Sequence, residues 1–268
     1  MTVALTLVLA LLGAGLGSFA CCQVWRIRKN DKSKWSHCLS CGYRLQWYDN
    51  IPILSWLLLG GKCRKCHKKI GTMELFAELG MAVAFAVSFC FWPELKMVLS
   101  GDVLAIIRLV IYYVLLTALC IAFLYDAKWK ELPVVVLAAA TVIAFIYYGV
   151  DTYSLVKSGD FAVAGVLSGL LGLFLLPGFY FLLYKLSKEK WVGGGDYLLC
   201  IPLAIILNNA WLAMSCLFIS NLLGCVVMLP VIYLSKKKDK MIPMGPFLIL
   251  GFLVVFFCKD FILEFASI

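Results

Sequence analysis

Apolar runs of nearly membrane-crossing length recur along this chain, and that recurrence leaves few folds open. They lie at about 2–22, 73–92, 104–125, 133–150, 161–184, 196–210, 211–234 and 246–264, against the roughly 20 residues that a helix needs to cross hydrocarbon. Hydrophobic residues make up 63% of the 268, and mean hydropathy is +0.97. That is more apolar surface than a soluble core of this length can bury. The expected fold is therefore all-α and membrane-integral, with eight transmembrane helices. The runs at 196–210 and 211–234 are the least regular, since only Asn208, Asn209 and Trp211 divide them and the first is short. A single bent or re-entrant pair fits the same residues. The first run has no basic residue before it and ends in Arg26, Arg28 and Lys29, the reverse of a cleavable signal peptide, so it should persist as a helix. Its Gly13, Gly15, Gly17 and Ser18 offer a small-residue face for close packing.

Charge orients these runs. Of the 24 lysines and arginines, 20 fall in four places: residues 23–72; Lys128 and Lys130; Lys185, Lys188 and Lys190; and Lys236, Lys237, Lys238 and Lys240. Eight spans put all four on one side, which the positive-inside rule makes cytosolic. The net charge of +9 then reflects topology and contact with anionic lipid of the bilayer, and no nucleic-acid partner is expected. The chain divides into a first transmembrane helix (1–22), a cytosolic segment (23–72) and a seven-helix membrane domain (73–268).

Two carboxylates interrupt this pattern. Asp126 closes the run Ile111 to Tyr125, and Asp196 opens another directly after Gly193, Gly194 and Gly195. A carboxylate at the edge of a bilayer is costly unless paired, hydrated or used. The charge-derived topology places both on the cytosolic side, where they can form a dyad. One group would take a proton from water while its neutral partner polarises a carbonyl. The plain alternative makes Asp126 a loop residue and Asp196 an N-cap. A helix N-terminus favours the anion at Asp196 by about 0.3–1 kcal/mol, whereas Asp126 sits near a C-terminus. The three glycines fit a sharp bend that admits an extended substrate, or equally a flexible linker.

The segment 23–72 carries an independent signal. Cys38-x-x-Cys41 and Cys63-x-x-Cys66 are separated by 21 residues, a spacing suited to four thiolates around tetrahedral zinc. Such a site is closed and structural. Two disulfides or a redox site are the competing readings, the first disfavoured in a reducing cytosol. His37 and His67 flank the pairs, and either could replace a thiolate. The other eight cysteines lie in or beside apolar runs and read as buried small hydrophobes.

Taken in order, Gly15 to Phe19, the stretch Cys38 to Trp56 with its Trp47, Asp49 and Pro52, the pair Cys63 and Cys66, Asp126 followed by Pro133, and Gly193-Gly194-Gly195-Asp196 resemble the type IV prepilin peptidases, over about residues 13–235. The resemblance implies a bacterial inner-membrane aspartic protease with its active site facing the cytosol. Such enzymes cut the short basic leader of prepilins, pseudopilins or competence precursors just after a glycine. Many members also methylate the new N-terminus with S-adenosylmethionine. Its catalytic aspartates map onto Asp126 and Asp196, the latter in the family's G-x-G-D motif, and its zinc ligands onto Cys38, Cys41, Cys63 and Cys66. Where the family often has lysine two residues after the second aspartate, this chain has Leu198.

The other classes that fit the composition are a zinc-clipped membrane scaffold with inert aspartates, a transporter, and a presenilin-like protease. The transporter lacks a visible inverted repeat, and presenilin-like enzymes lack the early tetracysteine lobe. No pattern specifies an oligomeric state.

Overall fold

A computed structural model describes residues 2–33, 35–159, 162–188, 192–235 and 243–266, with the side chains of Ile232, Leu234 and Ser235 left aside. Lys190, Lys236, Lys237, Lys238 and Lys240 of the charge argument lie outside the described residues. The chain forms two compact units, residues 1–95 and 96–268.

The first unit is a helix pair with a small lobe between its members. α1 (Thr2–Lys29) and α3 (Met73–Cys90) run antiparallel, and the lobe carries a 3-10 turn (Trp47–Asn50) and the short α2 (Leu54–Leu58). Two glycines set the packing. A Cβ at Gly13 would lie 2.5 Å from the Met81 carbonyl oxygen, and one at Gly17 would lie 2.5 Å from that of Ala77. The next step of four brings the Cys21 thiol to the Met73 carbonyl. Gly15 meets nothing within 4 Å, so within the small-residue face expected from the sequence the closest approach falls to the i, i+4 pair Gly13 and Gly17. α1 also continues seven residues past the expected end at 22, its last turn carrying Arg26, Arg28 and Lys29.

The second unit holds α4 (Leu95–Ser100, whose first residue falls in the first unit), α5 (Val103–Trp129), α6 (Val134–Ser158), α7 (Val163–Ser187), α8 (Gly194–Leu207), α9 (Ala210–Ser235), α10 (Gly245–Phe257) and α11 (Lys259–Ala266). Its core forms around α5, α8 and α10. Tyr112 stacks on Phe256 at 5.0 Å, and Leu115, Leu119, Leu199, Leu203, Leu248 and Phe252 are fully buried. Arg108 of α5 reaches Asp151 of α6 at 3.2 Å. Outward side chains such as Val135 and Phe174 are exposed and apolar, as a lipid-facing surface requires.

All eight expected runs are helical, but they do not all cross alike. Among the described residues six helices are long and apolar enough to span a membrane, or seven if α10 and α11, bent by 73°, count as one. α8 has 14 residues, about 21 Å of helix against roughly 30 Å of hydrocarbon. The turn after it explains how it can be short. Asn208 and Asn209 pack against Gly169 and Gly172 of α7, about 9–14 Å in from that helix's start at 1.5 Å per residue. Polar side chains satisfy the backbone there. Asn209 Oδ1 accepts from the Trp211 and Leu212 amides, and Ser168 Oγ accepts from Ala210. A turn away from water needs such partners. α8 and α9 thus form the bent pair that the sequence left open.

Candidate active site

Asp126 and Asp196 are brought together in the second unit. Asp126 lies one turn before the end of α5, and the chain then turns through Lys130 in a left-handed conformation (φ 58°) into Pro133, the cap of α6. Asp196 is the third residue of α8. α10 packs against both α5 and α8. Both carboxylates are buried, with 4% and 7% exposure, and the charge of Asp126 acts on Asp196.

A glycine secures each approach. At Gly195 a Cβ would fall 2.6 Å from the Cβ of Leu132, so α8 starts against the turn that follows Asp126. This corrects the reading of the glycines as a bend or linker. Gly194 and Gly195 are helical, Gly193 has φ −76°, and none of the three needs a left-handed backbone. At Gly195 the absent side chain is what permits the close approach.

Gly245, the first residue of α10, is the second such contact. Its amide donates to Asp126 Oδ2 at 2.9 Å, and a Cβ there would lie 2.8 Å from that oxygen. The sequence reading missed this residue. Its only local signal is Pro246, which suits the first turn of a helix but says nothing of a partner 119 residues away. The bond also removes the dipole asymmetry expected between the aspartates. Asp196 accepts from the Gly193 amide at 3.1 Å, as a helix-start acid should, while Asp126 faces the N-terminus of α10 instead of only its own C-terminus.

The aromatic residues beside the pair come from α7. Tyr197 contacts Phe181 and Tyr184 at 5.4 and 5.7 Å between ring centroids, and the buried Tyr180 hydroxyl accepts from Asn221 at 3.0 Å. Leu198 is half-buried on α8.

The cysteines of the first unit form one cluster. The four sulfurs of Cys38, Cys41, Cys63 and Cys66 lie within 4.8 Å of one another and could hold a metal ion. Each pair sits on the same backbone turn. Cys38 N donates to Tyr43 O and Gly42 N to Cys38 O, while Cys63 N donates to Lys68 O and His67 N to Cys63 O. Gly42 and His67 hold equivalent left-handed positions, with φ of 70° and 55°. The place of His67 is thus set by the turn, and His37 pairs with Asp31 at 3.6 Å. Among the described residues the cluster comprises the cysteines without either histidine. Burial pushes the Cys38 thiol up, but the Ser40 and Cys41 amides and neighbouring thiols outweigh it and bring it down to about 6. At Cys41 the Tyr43 amide favours the thiolate, yet burial and the other three thiols raise it to about 11. Four crowded thiols cannot all ionise without a cation to share.

Two acids of the first unit have local roles. Asp49 pairs with Arg64 at 2.7 Å and accepts from Gln46 N, and Glu78 accepts from Ile53 N at 2.6 Å.

Two family models match this chain. The bacterial peptidase A24 N-terminal domain covers residues 11–92, and the type IV leader peptidase family covers residues 113–229. The prepilin leader peptidase/N-methyltransferase of Vibrio cholerae is 27% identical over 254 residues, 90% of this chain and 92% of that protein. The type 4 prepilin-like proteins leader peptide-processing enzyme of Escherichia coli is 32% identical over 221 residues, covering 81% and 72%. The prepilin leader peptidase/N-methyltransferase of Pseudomonas aeruginosa is 29% identical over 226 residues, covering 80% and 68%. No solved structure matches. With both models matched in sequence order and a relative 32% identical over most of both lengths, the chain belongs to the type IV leader peptidase family.

Proposed function

We propose that this chain is a membrane aspartic endopeptidase that removes the leader of type IV prepilins or pilin-like precursors, with Asp126 and Asp196 as its catalytic pair. The observation that carries this reading is the convergence of two buried carboxylates from α5 and α8. A mere cap on α8 would need neither burial nor a second acid.

Two close carboxylates share a proton because both cannot ionise at once. The ionised member takes a proton from water as the oxygen attacks the scissile carbonyl, and the neutral member donates to that carbonyl oxygen. As the tetrahedral diol collapses, the carboxyl that took the proton of water gives it to the leaving amine, and a diol hydroxyl returns its proton to the other carboxylate, which restores the pair. Gly245 N and Gly193 N each occupy one oxygen of an aspartate, fixing which atoms remain for water and substrate. The charge of Lys130 acts on Asp126, a cation supplied from the α5 end where the family often has one after the second aspartate. The precursor's own apolar helix, held in the bilayer, positions the bond to be cut after its glycine. The basic segments support a location of this chemistry at the cytosolic face, and the bacterial relatives support an inner membrane.

Zinc is the metal suited to the cysteines. A Zn–S bond of about 2.3 Å in a tetrahedron sets sulfurs about 3.8 Å apart, and Cys38 and Cys66 lie at 3.9 Å. The four thiolates would close the site, so zinc there would clip the segment 23–72 together between helix 1–22 and the membrane domain 73–268. Chelation should strip one ion per chain and open this segment to protease. An unchanged digestion pattern would reject the structural role.

N-methylation of the new N-terminus from S-adenosylmethionine is the second activity, supported by the names of the relatives. Mass spectrometry of a prepilin incubated with the chain, with and without methyl donor, tests both halves. The expected products are a cut after glycine and one donor-dependent methyl group. An intact precursor would reject the peptidase, and a cut product never methylated would reject the transferase.

A further inference from the structure

The lobe of the first unit carries an apolar helix face left uncovered among the described residues. Leu54, Leu57 and Leu58 of α2 are spaced i, i+3, i+4 and therefore share one side. All three are exposed, Leu58 by 77%, and Trp47 in the adjoining 3-10 turn is exposed by 78%. Exposed leucine and tryptophan on one small surface call for a covering partner.

The other side of α2 is tied down. Trp56 Nε1 donates to the Gly71 carbonyl at 3.2 Å, and its ring lies against Gly61, whose Cβ would come within 2.8 Å. The Ile53 amide donates to Glu78 Oε2 at 2.6 Å, and the Ser18 hydroxyl also reaches that carboxylate. Glu78 is the sixth residue of α3, about 7.5 Å along the axis from its start. That is roughly the depth of a bilayer's interfacial layer. The tether holds Ile53 at φ 64°, ψ −53°, a strained backbone for a β-branched residue. The bond thus ties this loop to α3 at the level of Glu78.

We propose that α2 dips into the bilayer surface, with Leu54, Leu57, Leu58 and Trp47 lying among the headgroups and upper acyl chains of the leaflet that α3 enters. Its occupant is lipid, not protein. Both ends of the lobe run into membrane helices, so the lobe cannot leave the surface. Charge agrees with this. Lys62 and Lys69, just beyond α2, face each other across an antiparallel bridge and are both exposed. Like charges so placed repel, and an anionic headgroup between them would relieve that cost. Small amphipathic faces with tryptophan and flanking lysine bind interfaces in this manner.

Photocrosslinking of the full chain in proteoliposomes containing anionic phospholipid tests the proposal. With p-benzoylphenylalanine replacing Leu58, illumination is expected to yield chain–phospholipid adducts, several-fold more than with the same group replacing Ser40 on the first cysteine turn. Equal yields, adducts to a prepilin or to a second copy of the chain, or no adduct would overturn it. A second measurement needs no foreign group at position 58. Brominated lipid should quench part of the native emission, and Trp47→Phe should remove that part. Quenching that is the same in both proteins would count against the proposal.

Discussion

Two pairs of carboxylates in the apolar helices invite comparison, and only one of them joins acids from separate helices. Glu74 and Glu78 belong to α3, one turn apart, while Asp126 and Asp196 belong to α5 and α8. Glu78 and Asp126 look alike at first. Each is buried, and each accepts a backbone amide, from Ile53 at 2.6 Å and from Gly245 at 2.9 Å. The distinction lies in how the second acid arrives. Successive turns of one helix bring Glu74 near Glu78 without any tertiary arrangement, and Glu78 is engaged by Ile53 and Ser18 in holding the lobe. Asp196 comes within the influence of the Asp126 charge from a separate helix, one that begins against Leu132 where no Cβ intervenes. Burial and an amide bond do not identify a catalytic acid. Convergence built from distant segments is the feature that supports the proposed role of Asp126 and Asp196.

Neutralising either member of the dyad should break the comparison most sharply. Asp126→Asn or Asp196→Asn should lower prepilin cleavage by on the order of 10²–10⁴-fold, the usual weight of a general acid or base. Glu78→Gln should leave cleavage near wild type, all three read from the gel shift of a prepilin in detergent. Full activity in both asparagine variants would remove the dyad.

Steric intrusion should come next. Gly245→Val places carbon against Asp126 Oδ2, and Gly195→Val pushes α8 from Leu132. A displacement of about 1 Å at a reacting group costs roughly 10²-fold, so kcat should fall that far in each while the unfolding midpoint moves little. A large loss of Tm with kcat preserved would show that these glycines serve packing alone.

The tether of the lobe should show a smaller, local effect. Glu78→Ala leaves the Ile53 amide without its acceptor, at a cost of about 1–3 kcal/mol, and hydrogen exchange at Ile53 should quicken accordingly. Glu78→Gln keeps an acceptor oxygen and should show less. The least effect is expected within α1. Gly17→Val collides with Ala77 and should lower Tm, whereas Gly15→Val meets open space and should not.

Much of this was legible in the residues because it rests on local spacing. Apolar runs announced the helices, two C-x-x-C pairs announced the cluster, and two acids at the ends of apolar runs announced the candidate dyad. Contacts across long separations were not legible. A Gly245-Pro246 pair reads as a helix start, and nothing nearby names Asp126 as its partner. His67 looked like a spare metal ligand because a histidine advertises its ring, whereas the chain uses its backbone in the left-handed position that Gly42 fills in the other turn. Periodicity also could not say where α8 turns, since Asn208 and Asn209 find their neighbours on α7.

That early turn has a bearing on the surrounding lipid. At 14 residues α8 offers less apolar height than the hydrocarbon it adjoins, and lipid beside so short an element must thin or dimple to meet it. Membrane thickness thus bears on how comfortably this part of the fold is seated, and acyl-chain length joins the amino-acid sequence in setting that fit.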